Sequence, residues 1–372
     1  MRIILFGGAG DMGSRAVEDL AIASGVDQVT IADRNVVAAD KLAATLRGRG
    51  AKVDVKAVDA GDHDSLVDAM RGYDVAASAL GPFYRFEARL VRAAIEAGVD
   101  YASICDDWSA AQSVLAEFDG PARAGGRIII TGLGTSPGLS NVCIRYLAEQ
   151  MDRTRRVDVN VFQPLNSGGG EAVLRHMLYI ISGEVAVWRE GRQAMAPACG
   201  EERMVEFPRF GRIKVWNMGH AEPVTVPRFI PGVEECSFFM GFGLGASLLI
   251  WPAQQGLFTS ESRIDWTARL LAPLEHLTGG QQPAPGALRV DVWGEKDGER
   301  VHRMACGVGQ MREATALCLS AGVQMLARKE LTVKEGGVYA PEACLDPAAF
   351  VSVMRAKGIE AYEDLAMTKP LT

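Results

Sequence analysis

The chain has no Cys-x-x-Cys pair, no block of basic residues and no apolar run as long as a membrane helix requires. Each absence removes a class of function. The seven cysteines (105, 143, 199, 236, 306, 318 and 344) are odd in number, which fits neither a disulfide framework nor a zinc knuckle. No metal site is read from them, and a reducing cytoplasm is the expected setting. A net charge of −7, with Lys and Arg scattered, excludes the basic footprint that nucleic acid or an anionic lipid surface demands. The N-terminus enters an apolar strand at once, without a basic segment or a small-residue cleavage site, so no secretory signal is expected. The longest uncharged run, "CSFFMGFGLGASLLIW" at 236–251, carries three glycines and falls short of the roughly 20 residues of a membrane helix, so it reads as buried core.

Two nucleotide-enzyme signatures are missing as well. No tyrosine is followed four residues later by lysine, the acid/base pair of short-chain dehydrogenases, and no G-x-x-x-x-G-K-[ST] occurs, which argues against a nucleotide hydrolase.

What is present is 372 residues, 48% hydrophobic, enough for two globular domains. The first third alternates short apolar runs ("RIILFG", "QVTIAD", "KVDVKAV", "DVAASAL", "DYASIC", "RIIITG") with amphipathic stretches such as "RLVRAAIEAG". That rhythm predicts βαβ units and a parallel sheet covered on both faces. After residue 150 the period becomes two in "RRVDVNVF", "RIKVWNM" and "LRVDVWGEKDGERVHRMAC", the last with a turn between two arms, which predicts an antiparallel or mixed sheet. Helical spacing returns in "REATALCLSAGVQMLARKEL" (312–331) and in "DPAAFVSVMRAKGI", capped by Asp346, and this tail is expected to pack on the first domain.

Gly8-Ala9-Gly10-Asp11-Met12-Gly13 follows a strand and opens a helix, and Asp33 ends the second strand twenty residues later. This is the dinucleotide pattern: glycines for close backbone approach, a helix N-terminus for the pyrophosphate, an acid for a ribose hydroxyl. Asp33 favours NAD, while the adjacent Arg34 could pair with a 2′-phosphate, so NAD is placed slightly ahead of NADP. "VDAGD" (58–62) closes the third strand; Asp59 stands where an adenine would lie, and Asp62 equally reads as a helix cap.

Ligands of open α/β sheets sit beyond the carboxyl ends of the strands. Three loops qualify: "ALGPFYRFEA" (79–88), "SICDDW" (103–108) and "TGLGTSPGLSN" (131–141). In the first, Tyr84 could hydrogen-bond substrate or relay a proton and Arg85 hold a carboxylate; equally, Tyr84 is a packing anchor. In the second, Asp106 and Asp107 point apart; one could serve as base or bind a cation, the other cap the helix that follows. In the third, Ser136 is suited to cap a helix beginning at Pro137, whose N-terminus would receive a polar group, or else to mark a hinge between domains. Arg175 and His176, in "GGGEAVLRHMLYIISGE", and His220, in "WNMGHAEPV", lie in the later domain; a histidine there is a structural residue or a proton acceptor.

Taken together, "GGAGDMG", "VDAGD", "ALGPFYRFE", "AIEAGVDY", "GLGTSPGLSNV", "TALCLSAGVQML" and "GVYAPEACLDP...GI" resemble the saccharopine dehydrogenase-like family, most of all its lysine 6-dehydrogenases and saccharopine reductases. The resemblance covers most of the first domain and the C-terminal fifth. It implies an α/β fold, a Rossmann doubly wound parallel sheet over 1–135 plus 310–372, with an inserted α+β domain over 136–309 for substrate and dimerisation. It implies a homodimer with a small-molecule substrate, and NAD(P)-dependent chemistry at a C–N bond. Gly8, Gly10, Gly13 and Asp33, with Asp11, Met12 and Arg34 beside them, would hold the dinucleotide; Ala79, Leu80 and the 132–138 loop, including Gly132, Gly134, Ser136 and Gly138, would line the nicotinamide and substrate. In one respect the chain departs: relatives often carry an aspartate two residues after the position of Tyr101, where this chain has Ser103 and places its acids at 106 and 107.

The expected reaction is hydride transfer beside an amine, with Asp106 or Tyr84 as base and His220 behind them, and with Arg85, Asp107, Ser136, Gly138, Arg175 and His176 about the substrate. Two alternatives stay open: a reductase of a C=C or C=O bond in a larger apolar metabolite, and a dinucleotide-binding sensor without catalysis.

Overall fold

The computed structural model describes residues 1–164, 170–243, 249–278 and 284–372, and within them the side chains of all but 170–173, 261 and 271–278. The chain divides into two compact units, Met1–Leu139 with Arg312–Lys357, and Ser140–Met311 with Gly358–Thr372.

The first unit begins β1 (Arg2–Phe6), α1 (Asp11–Ile22), β2 (Gln28–Asp33), α2 (Val36–Arg47), β3 (Val53–Ala57), α3 (His63–Met70), β4 (Val75–Ser78) and α4 (Phe83–Ala97). It continues through β5 (Asp100–Ser103), α5 (Trp108–Glu117), α6 (Asp119–Gly125) and β6 (Ile128–Ile130). All six apolar runs of the sequence are strands. Ile3, Ile4 and Leu5 of β1 are fully buried, as a central strand covered on both faces requires, and each such side chain contributes about 1.5–3 kcal/mol. The helices bury one stripe: in α4 Glu87, Leu90, Val91 and Ala94 recur at three- and four-residue spacing on the inner face.

The second unit holds α7 (Leu139–Ala148, from its second residue), β7 (Arg153–Phe162), α8 (Gly170–Ile180), β8 (Glu184–Arg189), β9 (Arg192–Pro197), β10 (Glu202–Phe207), β11 (Gly211–Asn217) and α9 (Glu222–Phe229). β12 (Glu235–Gly241), α10 (Ile250–Gln254), α11 (Glu261–Thr278), β13 (Gly286–Lys296) and β14 (Glu299–Gly309) follow. Its sheet runs β10-β11-β12-β7-β13-β14, with β8 paired to β12 and β9. It is mixed, because β12 and β7 are parallel while the other neighbours are antiparallel. The β13–β14 hairpin turns at Asp297 and Gly298, both at positive φ, as the sequence leads one to expect of a tight turn. Of the uncharged stretch at 236–251, the part in β12 is buried core; residues 244–248 lie outside the described residues.

The chain then returns to the first unit with α12 (Met311–Ala327), β15 (Gly337–Tyr339), α13 (Pro341–Cys344) and α14 (Pro347–Ala356). β15 pairs with β6 and completes a seven-stranded parallel sheet ordered β15-β6-β5-β4-β1-β2-β3. Asp346 caps α14 through the Ala349 amide at 2.8 Å, as its sequence indicates. Of the tail, Arg312–Lys357 groups with the first unit. Residues 358–372 group with the second unit, where Cys306 and Tyr362 exchange backbone hydrogen bonds of 2.8 Å.

Candidate functional site

In the first unit the chain leaves β1 through a turn that glycine alone permits. A Cβ on Gly13 would stand 2.1 Å from the Gly7 carbonyl oxygen, so the start of α1 packs directly on the loop. Gly10 is the N-cap of α1 and has no side-chain cap, which leaves first-turn amides and the positive helix end directed at an incoming anion. Asp33 faces this loop: its Oδ2 accepts from the Ala9 amide at 3.1 Å and its Oδ1 from the Asn35 amide at 2.9 Å. Each oxygen keeps a second lone pair, which suits it to ribose hydroxyls. Arg34 is exposed beside it, and Met12 is half-buried on α1.

Asp11 lies in the first turn of α1, where its charge would oppose a pyrophosphate, and it is paired with the Arg312 guanidinium from α12. Sequence reasoning misses Arg312. The backbone of Ala79 and Leu80 passes so near Gly7 that a Cβ on that glycine would stand 3.0 Å from it, and the Ala79 amide donates to the Phe6 carbonyl. The residues present therefore fit a dinucleotide: glycine loop, open helix end, ribose acid and the edge after β4 are assembled. Asp59 is exposed and closes its own turn on the Gly61 amide, while Asp62 caps α3 through the amides of Asp64 and Ser65.

The loop after β6 departs from expectation. Ser136 does not cap a helix at Pro137, because α7 starts at Leu139. The Pro137 carbonyl is used instead to accept from the Gly134 amide at 2.7 Å, and the Leu139 amide returns to the Gly134 carbonyl at 2.9 Å. The segment thus closes on itself, and Gly138, at φ +132°, would carry a Cβ only 1.9 Å from the Gly134 oxygen. Gly132 and Leu133 both donate to the Ser103 carbonyl, which ties this loop to the end of β5.

Tyr84 and Arg85 stand in the first turn of α4, the tyrosine half-buried and the arginine exposed. Asp107 takes the cap role at α5, with its Oδ1 receiving the amides of Ser109 and Ala110 at 2.9 Å each. Asp106 is half-buried beside it.

Beneath these loops is a residue that the sequence motifs do not mark. Glu87 is fully buried and accepts from Ser103 Oγ at 2.5 Å, Tyr101 OH at 2.9 Å and Thr131 Oγ1 at 3.3 Å. Burial pushes its carboxyl up to about 7, against the downward pull of those three hydroxyls, and the charge of Asp106 adds to the rise. The folded chain therefore holds this proton longer than the unfolded chain. Stability from this group is complete below the ordinary value of 4.5 and declines as pH rises to about 7, by on the order of 3 kcal/mol. The one signal in the sequence is an acid in register with Leu90, Val91 and Ala94 on the apolar face of α4.

In the second unit His220 is buried, its Nδ1 2.5 Å from Glu222 Oε2 and its ring stacked on Phe238 at 3.8 Å between centroids. Glu222 has no exposure and also accepts from Ser140 Oγ at 2.9 Å. With Nδ1 against the Glu222 carboxylate, Nε2 is the ring nitrogen outside that contact. His176, on α8, brings a ring nitrogen within 4.8 Å of a ring nitrogen of His220. Arg175 is engaged differently, in an ion pair with Asp265 of α11 at 3.1 Å.

The same unit presents a polar cavity of about 550 Å³ on one face of its sheet. Arg156, Asp158, Asn160, Arg203, Arg289 and Asp291 line it, with the two aspartates and the asparagine buried under arginines. Burial pushes Asp291 up, but hydrogen bonds from His302 and Arg289 outweigh it and hold the carboxyl below the usual range.

Against known proteins, residues 3–125 match the family model of the saccharopine dehydrogenase NADP binding domain. The resemblance carried by the sequence motifs is borne out, and the first unit is an NAD(P)-binding domain by kinship as well as by geometry. Carboxynorspermidine synthase of Vibrio cholerae serotype O1 (strain ATCC 39315 / El Tor Inaba N16961) is 25% identical over 236 residues, 58% of this chain and 56% of that protein. The match thus spans little more than half the length of that curated relative. The fold is that of saccharopine dehydrogenase (L-Glu forming) from Saccharomyces cerevisiae, with a TM-score of 0.68 over 96% of this chain and 98% of that one, at 14% identity. Among the described residues no helix is long and apolar enough to cross a membrane.

Gly10→Ala tests the cradle. Its Cβ would meet the Gly7 oxygen at 3.1 Å, so the loop must give by a few tenths of an ångström, and it would occupy the space beside the open amides. The expected outcome is a circular dichroism spectrum like that of the parent and a dissociation constant for NADH or NADPH raised about tenfold in a fluorescence titration, a cost of about 1.4 kcal/mol. Unchanged affinity for both would contradict the site.

Proposed function

We propose that this chain is an NAD(P)-dependent oxidoreductase acting at a C–N bond of an amino acid, diamine or opine-like substrate, in the manner of a lysine 6-dehydrogenase. The observation that carries the reading is the pairing, in one chain, of a dinucleotide cradle with a buried His220–Glu222 dyad. The carboxynorspermidine named in the Vibrio relative is a carboxylated polyamine, which supports a substrate bearing both amine and carboxylate.

The dinucleotide, when bound, supplies the acceptor or donor of hydride. A substrate amine must lose its proton before hydride leaves the adjacent carbon, and His220 Nε2, held by Glu222, is the group prepared to take it. Asp106 offers the negative charge that holds an ammonium group, and Tyr84 a hydroxyl for orientation. Arg85, Arg175 and His176 are assigned to the substrate's anionic and polar groups, Ser136 and Gly138 to its approach at the loop after β6, and Asp107 to holding that region through its cap. The imine formed then meets water and releases ammonia or a second amine. Asp33 inclines the cofactor towards NAD, with Arg34 available to NADP.

We further assign the enzyme to the cytoplasm, on the support of seven buried free thiols, and to a homodimer. The support for dimerisation is the face of the second unit's sheet that sets arginines beside aspartates, since a face carrying both charges can meet its own copy.

Three measurements check these assignments. Reduction of NAD and NADP, screened against lysine, ornithine, diamines and opine-type secondary amines, is expected to give turnover with at least one; silence across the set would overturn the reading. His220→Gln is expected to lower kcat about a hundredfold or more while leaving NADH affinity within about twofold, because only the proton acceptor is lost. Sedimentation is expected to give the mass of two chains, and a single-chain mass at micromolar concentration would contradict the dimer.

A further inference from the structure

Glu87 does more than fill the inner face of α4. Its three hydroxyl partners sit at the ends of neighbouring strands: Ser103 is the last residue of β5, Thr131 follows β6, and Tyr101, on β5, also bonds Ser78 at the end of β4. Those partners in turn hold the sheet-edge loops. Ser103 Oγ accepts from the Cys105 amide and Ser78 Oγ from the Leu80 amide, while the Ser103 carbonyl receives Gly132 and Leu133. Loops after β4, β5 and β6 are thus tied to one carboxyl group from below.

Beyond those strand ends is where a parallel sheet of this order seats the reacting end of its ligand. An oxidised nicotinamide ring is a cation and a reduced one is neutral. A negative charge fixed beneath that seat, in a medium of low dielectric, discriminates between them.

We propose that Glu87 is the charge-bearing positioning residue of this sheet edge: ionised, it orders the three loops and favours the oxidised over the reduced dinucleotide. The inference rests on the reading of the first unit as the NAD(P) site. It goes beyond that reading in assigning the redox preference of binding to a residue that touches neither ligand nor solvent. By linkage, oxidised cofactor releases the Glu87 proton to solvent on binding, and reduced cofactor does not. The titratable groups acting on Glu87 are Tyr101 from β5 and Cys105 and Asp106 from the loop after it; β4 and β6 contribute the hydroxyls of Ser78, through Tyr101, and Thr131. Burial holds Tyr101 and Cys105 well above neutrality, so Glu87 and Asp106 are the charges in play.

The test is the ratio of affinities for the oxidised and reduced forms of one cofactor, measured by calorimetry and by fluorescence in wild type, Glu87→Gln and Glu87→Asp. In wild type the preference for the oxidised form is expected to rise between about pH 6 and about pH 8, as Glu87 ionises. In Glu87→Gln the ratio should fall about fivefold to tenfold and lose its pH course, as expected for removing one charge at short range in a partly shielded site. Glu87→Asp, which keeps the charge, should restore the preference. A purely structural role would weaken both forms alike, and a folded Glu87→Gln with the parental ratio and pH course overturns the proposal. Should Glu87→Gln fail to fold, a wild-type ratio that is flat with pH overturns it equally. Wild-type protein that binds neither form overturns the nucleotide site itself, a failure distinct from an unaltered ratio.

Discussion

A carboxylate without access to water persists only where other groups replace the hydration it has lost. Glu87 meets that condition with the hydroxyls of Tyr101, Ser103 and Thr131, and through them the carboxyl ends of β4, β5 and β6 are tied to it. Were the acid replaced by leucine, three buried donors would lose their acceptor together, each at a cost of about 1–3 kcal/mol. The loops that frame the candidate nicotinamide site would then have no common anchor. Under the proposed role function and stability pull in opposite directions here, since a neutral side chain would be cheaper to bury while that role needs an ionised one.

The second unit uses the same device differently. His220 and Glu222 are both buried, and Phe238 presses on the imidazole, so the ring has one orientation and one nitrogen turned away from the carboxylate. In the glycine loop the arrangement is reversed: charge is left out. Gly10 offers no side chain at the head of α1, and Asp11, the acid of the first helical turn, is matched by Arg312. An anion arriving there meets amides and a helix dipole rather than a competing carboxylate.

How much of this a reader of the sequence recovers depends on where the free energy comes from. Strands buried on both faces announce themselves as apolar runs, and β1 to β6 are legible for that reason; "RVDVNVF" and "RVDVWG" show the half-buried sheet by alternation. β15 is three residues long and owes its existence to pairing with β6, which no local pattern records. β8, β9 and β10 are only six residues each, with few buried positions in β9 and charged residues in β8 and β10, which hides them among the loops. Ser136-Pro137 carries the usual signal of a helix start, yet the loop's own hydrogen bonds claim the Pro137 carbonyl first. Among the proposed functional groups, Gly8, Gly10, Gly13 and Asp33 are legible because backbone approach to a phosphate dictates glycine spacing. Glu87 and Arg312 are not, because their partners come from other elements, Thr131 at 44 residues from Glu87 and Asp11 at 301 from Arg312, and Glu222, though two residues from His220, carries no local mark of its burial.

The central claim is that this chain moves hydride between the carbon beside an amine and a nicotinamide dinucleotide. It is tested most directly by isotope: an amine substrate carrying deuterium on the carbon next to nitrogen is incubated with protein and oxidised cofactor, and the reduced cofactor is analysed by mass spectrometry. The account predicts reduced dinucleotide heavier by one deuterium, formed in step with loss of the label from the amine. Reduced cofactor without the label would place the hydride elsewhere and contradict it.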